Sequence, residues 1–141
     1  MPGDAQRRRP LWLDADGQML NVIDQRQLPH QFVTLSLKTV DDVIHAIREM
    51  VVRGAPLIGA TAAYGMWLAA ANTMGQAPEP DHFRQEALRL KASRPTAVNL
   101  AWAVDRVLER IKTASTAQAA VDLARHEADA VTHDEIENCR R

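Results

Sequence analysis

The feature that most constrains the fold of this 141-residue chain is a long run without a charged side chain. The run starts directly after Arg53, continues until Glu79, and is rich in alanine over residues 55–71. A helix with no polar face cannot lie on the surface of a protein, so it has to be covered on all sides. We therefore predict that residues 55–71 form a buried central helix around which the other elements pack.

A membrane-spanning helix is the competing interpretation of this run, and its composition disfavours it. A span needs about 20 strongly apolar residues, whereas this run is shorter and includes Pro56, Thr61 and Tyr64. The start of the chain lacks the apolar segment of a signal peptide. The single cysteine, Cys139, excludes an internal disulfide and fits a reducing compartment. We expect a cytoplasmic protein with no membrane partner.

The balance of charge also limits the partners. Lys and Arg number 17 against 18 Asp and Glu, for a net charge of −1. A general nucleic-acid surface needs a basic excess, so no nucleic-acid partner is expected. The only basic cluster, residues 7–9, is interpreted as a solvated tail.

Hydrophobic periodicity predicts a mainly α fold with a small N-terminal antiparallel β meander, an α+β protein. Alternation favours three strands near residues 11–13, 19–23 and 32–37. From Thr39 onward the pattern indicates a bundle of about five helices. We therefore expect a meander over residues 1–37 and a helical bundle over residues 38–141, together forming one N-terminal domain.

Particular residues define the predicted helix starts and the core. Thr39, with an acidic residue three positions later, fits a capping box, and Thr116 is the predicted cap of the fifth helix. Asp81 is the predicted cap of the third helix. Trp67 and Trp102 lie at apolar helix positions and are expected in the core.

Two arginines precede a proline and then an apolar helical pattern, Arg53 before Pro56 and Arg94 before Pro95. Proline suits the first turn of a helix, so both arginines are predicted to lie just before a helix N-terminus. Such an end presents free N–H groups and a partial positive charge to an anion. A guanidinium adds two-pronged recognition of phosphate. If the two ends converge, they form a pocket for a phosphate ester.

The neighbouring residues complete the candidate site. Gly54 permits close backbone approach or a positive φ. Thr96 is a candidate cap for the fourth helix, Asn99 lies one turn further on, and Gln25 belongs to a polar turn that could face a ligand. The plainer alternatives are an exposed arginine in a helix–helix turn, an ordinary cap with a buried asparagine, and a polar segment that only organises its turn.

No metal site and no cofactor are predicted. His126 and Glu127 begin like a zinc-protease motif, but Ala130 occupies the position of the second histidine. The sequence contains no Gly-rich nucleotide loop of the Walker or dinucleotide type. No base is placed near Cys139, so it is not a candidate nucleophile.

Two segments resemble the signatures of the methylthioribose-1-phosphate isomerase family, namely residues 50–65 and residues 93–104. Residues 23–29 are similar to the family's opening segment, with isoleucine in place of the usual leucine, and residues 137–140 to the segment ahead of its second domain. These matches occur in family order across nearly the whole chain. The wider superfamily includes ribose-1,5-bisphosphate isomerases and regulatory subunits of initiation factor 2B.

The resemblance implies a two-domain enzyme of methionine salvage that interconverts 5-methylthioribose 1-phosphate and 5-methylthioribulose 1-phosphate. By motif, Arg53, Gly54 and Ala55 would contact the substrate and Arg94 would bind its phosphate. The family's catalytic cysteine and aspartate belong to a Rossmann-like C-terminal domain that these residues do not include. The chain is therefore expected to be an N-terminal fragment that is inactive alone, and the full-length protein to be a homodimer.

Two alternatives stay open from the sequence. The chain could be a non-catalytic regulatory module of the same superfamily that senses a sugar phosphate or a nucleotide. It could also be a plain helical interaction domain with two coincidental arginine corners. The residues that follow Arg141 in the gene distinguish the first alternative, and a phosphate titration distinguishes the second.

Overall fold

The computed structural model describes residues 11–13, 19–24, 26, 33–49, 51–52, 54–72 and 80–134. Within them lie a three-stranded antiparallel sheet and five helices, which confirms the predicted fold class. The strands are β1 (Leu11–Leu13), β2 (Leu20–Ile23) and β3 (Thr34–Leu37), and the helices are α1 (Val40–Arg48), α2 (Ala55–Ala71), α3 (Pro80–Ser93), α4 (Val98–Ile111) and α5 (Ala117–Thr132).

The sheet is the predicted meander, with β2 between β1 and β3. Leu20 lies opposite Leu37, and all four residues of β2 are buried, as expected for a central strand. The buried Asn21 on β2 accepts a hydrogen bond of 2.7 Å from the Ser36 hydroxyl, which satisfies its carbonyl oxygen. Buried side chains from the sheet and from every helix form one continuous core.

Helix α1 begins at the predicted capping box. The Asp42 N–H donates to Thr39 Oγ1 at 3.1 Å, and Asp42 Oδ2 accepts from the Thr39 N–H at 3.3 Å. The residues that recur at helical spacing after this cap form the buried face of α1, namely Val40, Val43, Ala46 and Ile47. The capping box predicted at Thr39 is therefore confirmed as the start of α1.

Helix α2 is the central helix of the bundle, with the predicted bounds and with 14 of its 17 residues buried. Gly65 lets the neighbouring helices approach it closely. A Cβ at this position would lie 3.0 Å from Leu90 Cδ2 on α3 and 3.1 Å from Val43 Cγ1 on α1. Among the described residues no helix is long and apolar enough to cross a membrane.

Two of the expectations for the bundle are wrong. Asp81 does not cap α3, because the helix already begins at Pro80, and Asp81 instead pairs with Arg84 in the first turn. Trp102 is 44% exposed, while Trp67 is buried as predicted. The buried stripe of α4 runs through Leu100, Ala103, Val104, Val107, Leu108 and Ile111. Trp102 lies outside this stripe, so helical geometry turns it away from the core.

Candidate functional site

The N-terminus of α2 has an unusual first turn. Its N-cap residue, Gly54, has φ 92° and ψ 135°, a conformation that side-chain-bearing residues rarely adopt. Pro56 lies in the first turn as predicted, and no side chain caps the helix. Gly54 and Ala55 are exposed. Within the described part of the chain, the first-turn N–H groups of α2 thus have no side-chain cap that would compete with a bound anion.

Arg94 lies in the turn between α3 and α4. The Ala97 N–H donates to the Arg94 carbonyl oxygen at 3.0 Å, so residues 94–97 form a β-turn with Pro95 at its second position. Proline is favoured there because its φ matches the turn. The prediction that Pro95 occupies the first turn of a helix is therefore wrong.

The start of α4 corrects the prediction for Thr96 as well. The N-cap of α4 is Ala97, which has no side chain able to cap, and the helix begins at Val98. Thr96 is exposed in the turn, and Asn99 is half-buried in the first turn of α4. Like α2, α4 therefore begins without a side-chain cap, whereas Thr39 and Thr116 cap α1 and α5. The prediction of a cap at Thr116 is confirmed by its contact with the Ala119 N–H.

Contacts between α2 and α5 show that the two helices are antiparallel. Early in this interface, the Tyr64 hydroxyl donates to Asp129. One turn later in α2, the guanidinium of Arg125 lies 5.9 Å from the ring centroid of Trp67. Residues later in α2 thus contact residues earlier in α5.

Contacts between α4 and α5 show the same antiparallel relation. Arg106 pairs with Glu127 and also donates to Asp134 at 3.0 Å, while Arg110 pairs with Glu127 at 3.4 Å. Residues later in α4 thus also contact residues earlier in α5. Helices α2 and α4 must therefore run parallel, and their uncapped N-termini lie at the same end of the bundle.

The predicted site residues are only partly within the described chain. Arg53 and Gln25 lie outside the described residues, as does Cys139, so the convergence of Arg53 with Arg94 stays a prediction. Arg94 is half-buried, and its side chain forms no hydrogen bond or ion pair with any residue that the structure describes. Its guanidinium is not committed to a protein carboxylate in this part of the chain.

Arg106 holds α4 against α5 by a charge network that sequence patterns did not reveal. The pKa of Asp134 is lowered, chiefly by the hydrogen bond from Arg106. The same guanidinium lies 5.2 Å from the ring centroid of Trp102. The partners are 21 and 28 residues apart in sequence, so no local pattern could have found them.

Tyr64 is the second group that sequence patterns missed. Burial raises its pKa, and the hydrogen bond to Asp129 raises it further. The phenol therefore stays protonated over the physiological range and acts as a donor that joins α2 to α5. No cluster of metal-ligating side chains occurs among the residues with described positions.

A surface groove of about 270 Å³ lies elsewhere, between the start of α1, the end of α2 and one side of α3. Asn72 and Ala69 line it, so it is at the C-terminal end of α2 and away from Gly54. Arg89 in this groove is already paired with Asp41 and Glu86. The groove therefore does not coincide with the predicted phosphate site.

Comparison with known proteins relates the chain to two groups of molecules. Residues 51–141 match the initiation factor 2 subunit family. A methylthioribose-1-phosphate isomerase of Desulfosudis oleivorans is 46% identical over 138 residues, which are 98% of this chain and 37% of that protein. The isomerase of Rhodospirillum centenum is 44% identical over 141 residues, 99% of this chain and 36% of that protein.

Two solved structures have the same fold. One is translation initiation factor eIF-2B, subunit delta, from A. fulgidus, with a TM-score of 0.84 and 30% identity over 92% of this chain and 38% of that chain. The other is 5-methylthioribose 1-phosphate isomerase from Pyrococcus horikoshii, with a TM-score of 0.79 and 32% identity over 89% of this chain and 36% of that chain. The chain thus spans a little over a third of the length of these relatives.

Proposed function

The chain belongs to the initiation factor 2 subunit family, and we propose that it is the phosphate-holding N-terminal domain of an aldose–ketose isomerase. The reaction is the conversion of 5-methylthioribose 1-phosphate to 5-methylthioribulose 1-phosphate, a step of methionine salvage. The observation that carries the proposal is the pair of uncapped helix N-termini at one end of the bundle, one preceded by Gly54 and the other by Arg94. Relatives that are 42–46% identical carry the name of this enzyme.

The positive φ of Gly54 supports a role for the α2 N-terminus in binding. Gly54 has no Cβ, and no described residue beyond its chain neighbours lies within 4 Å of where one would stand, which leaves open space beside the first-turn N–H groups. A phosphate oxygen can approach these N–H groups directly, and the helix dipole favours its charge. Gly54 and Ala55 are the backbone contacts in this proposal, and Arg53 supplies a guanidinium.

Arg94 supplies the second positive charge. Its half-buried side chain has no acidic partner among the described residues, so a phosphate need not displace one. A hydrogen bond to a charged group contributes about 1.5–3 kcal/mol. Thr96 and Asn99 support Arg94 from the turn and from the first turn of α4, and Gln25 is a further candidate for contact with the ligand.

Holding the phosphate fixes the sugar carbons relative to the groups that react. The isomerisation moves hydrogen between neighbouring carbons, which requires an acid and a base in a sheltered pocket. In this proposal these groups come from a Rossmann-like C-terminal domain that follows residues 1–141, and the complete enzyme is a homodimer. This chain alone then binds the ester weakly and does not turn it over.

A titration followed by NMR tests the binding role. Adding 5-methylthioribose 1-phosphate to the ¹⁵N-labelled chain is expected to shift the amides of Gly54 and Ala55 and the side-chain resonance of Arg94. Unphosphorylated 5-methylthioribose is the matched control and should leave these resonances in place. Equal shifts with both sugars, or none at saturating ester, would remove the phosphate from this end of the bundle.

The regulatory alternative has less support, although the initiation factor subunit shares the fold. That subunit is 30% identical to the chain, whereas the isomerases reach 46%. A nucleotide that displaces the sugar phosphate from Gly54 and Arg94 in the same titration would favour a sensing role over catalysis.

A further inference from the structure

Two large apolar side chains are exposed one turn apart on α4. Val98 is 79% exposed and Trp102 is 44% exposed, and we call this pair the α4 ridge. The ridge begins in the first turn of α4, four residues after Arg94, so it borders the proposed phosphate site. Exposed aromatic side chains of this kind mark contact surfaces more often than isolated surface leucines do.

We infer that the α4 ridge is the surface on which the domain that follows this chain in its longer relatives docks, and the inference rests on the proposed function. The first support is the path of the polypeptide. Arg106 lies over Trp102 and donates to Asp134, the last residue that the structure describes. Asp134 therefore lies near Trp102, on the side of the bundle that carries the ridge.

The size of the ridge favours a linked domain over a second copy of the chain. One tryptophan and one valine offer about 300 Å² at most, far below the roughly 1,000 Å² that a specific interface between separate molecules buries. A domain joined by a short linker does not pay the entropy of association, because its effective concentration is already high. A small apolar contact is sufficient for docking under that condition.

Docking at this position also closes the proposed site. A domain that covers Val98 also lies next to the turn that holds Arg94, because Val98 directly follows residues 94–97 of that turn. Covering this end of the bundle excludes water from the phosphate and brings the acid and base groups to the sugar. The ridge would thus determine how the two domains are positioned for catalysis.

Tryptophan quenching tests the inference directly. The matched 138 residues of the Desulfosudis oleivorans isomerase are replaced by this chain to give a joined protein. Acrylamide quenching is measured for the joined protein and for the 141-residue chain, each with and without Trp102→Phe, so that the difference reports Trp102 alone. We expect Trp102 to be quenched freely in the chain and to be as protected as Trp67 in the joined protein.

Two results would overturn the inference. One is equal quenching of Trp102 in the chain and in the joined protein. The other is protection that already exists in the chain and grows with its concentration, which would mean that a second copy covers the ridge.

A pair of matched substitutions provides an independent test. Val98→Asp and Leu88→Asp each place a charge at an exposed apolar position, and Leu88 lies on α3, 60% exposed and outside the ridge. Both variants of the 141-residue chain should unfold at the parent temperature. In the joined protein, Val98→Asp should restore quenching of Trp102 and lower kcat/KM at least about tenfold, while Leu88→Asp changes neither. Indistinguishable variants would refute docking at the ridge.

Failure of the docking and failure of the proposed function give different results. A joined protein that isomerises the sugar phosphate with Trp102 still open to acrylamide retains the function and loses the docking surface. A joined protein in which Trp102 is protected, but which neither binds nor isomerises the ester, retains the docking surface and loses the proposed function.

Discussion

Gly54→Ala isolates the energetic effect of one backbone conformation. Gly54 has φ 92°, and an added Cβ would meet no described residue within 4 Å beyond its chain neighbours, so the substitution creates no clash with this part of the chain. Its cost comes from forcing an L residue into a glycine-only region, about 1–3 kcal/mol. Alanine also restricts the unfolded chain, which offsets about 0.4–1 kcal/mol of that cost. We expect a net loss of about 1–2 kcal/mol, or roughly 4–8 °C in Tm for a domain of this size.

Gly65→Ala is the matched comparison, because Gly65 has an ordinary helical backbone but little space for a Cβ, whereas Gly54 has space for a Cβ but a positive φ. The Gly65 backbone lies within helix α2, where alanine is favoured over glycine by about 1 kcal/mol. The new Cβ would be 3.0 Å from Leu90 Cδ2 and 3.1 Å from Val43 Cγ1, both ends of side chains that can shift slightly. We expect these effects to cancel to within about 1 kcal/mol.

Urea denaturation of the two variants, followed by far-ultraviolet circular dichroism, measures both free energies of unfolding. The glycine with open space around it should be the more sensitive of the two. If Gly54→Ala costs less than Gly65→Ala, packing rather than backbone conformation controls these positions, and Gly54 is not held at positive φ by the fold.

Three further predictions concern side chains. Arg94→Ala should weaken binding of the phosphate ester by about 1.5–3 kcal/mol in calorimetric titration, with Arg94→Lys intermediate, and unchanged affinity would remove Arg94 from the site. Tyr64 is the only tyrosine, and its raised pKa means that absorbance at 295 nm should show no tyrosinate until the protein unfolds. The stability of the fold should decrease as pH rises above about 10, because only the unfolded state ionises there. Tyrosinate near pH 10 in the folded protein would contradict this. The lowered pKa of Asp134 means that its pair with Arg106 stabilises the fold above about pH 4 and that this stabilisation is lost as pH falls through the folded pKa. In Asp134→Asn, Tm should therefore decrease less steeply at acid pH than in the parent protein. An unchanged decrease of Tm at acid pH would argue against the pair.

Local chemistry made much of the fold predictable. The bounds of α2 followed from an uncharged run that needs complete burial, and Thr39 and Thr116 cap their helices because a hydroxyl accepts from a first-turn N–H. The turn at Arg94 was mispredicted for an equally local reason. Proline suits both the first turn of a helix and the second position of a β-turn, and sequence alone did not separate the two.

Features that depend on contacts between residues distant in sequence could not be predicted from the sequence. Trp102 has an apolar side chain at a helical position, yet its exposure depends on which face of α4 meets α2 and α5. The candidate site was predicted as a set of residue types near two helix starts. Their relative placement needed the direction of each helix, and the meeting of Arg53 with Arg94 is still a prediction because Arg53 lies outside the described residues.

The direction of the helices connects the site to residues that lie far from it. Helices α2 and α4 share an end only because each is antiparallel to α5, and the pairs Tyr64–Asp129 and Arg106–Glu127 set that relation on two sides of α5. Both pairs are partly buried, so removing one partner leaves a desolvated polar group and costs more than an exposed pair would. A shift of α4 along α5 by one turn would move the start of α4 by about 5.4 Å relative to Gly54. That displacement exceeds the reach of a hydrogen bond, so the geometry of the proposed phosphate site depends on α5 even though no residue of α5 is expected to touch the ligand.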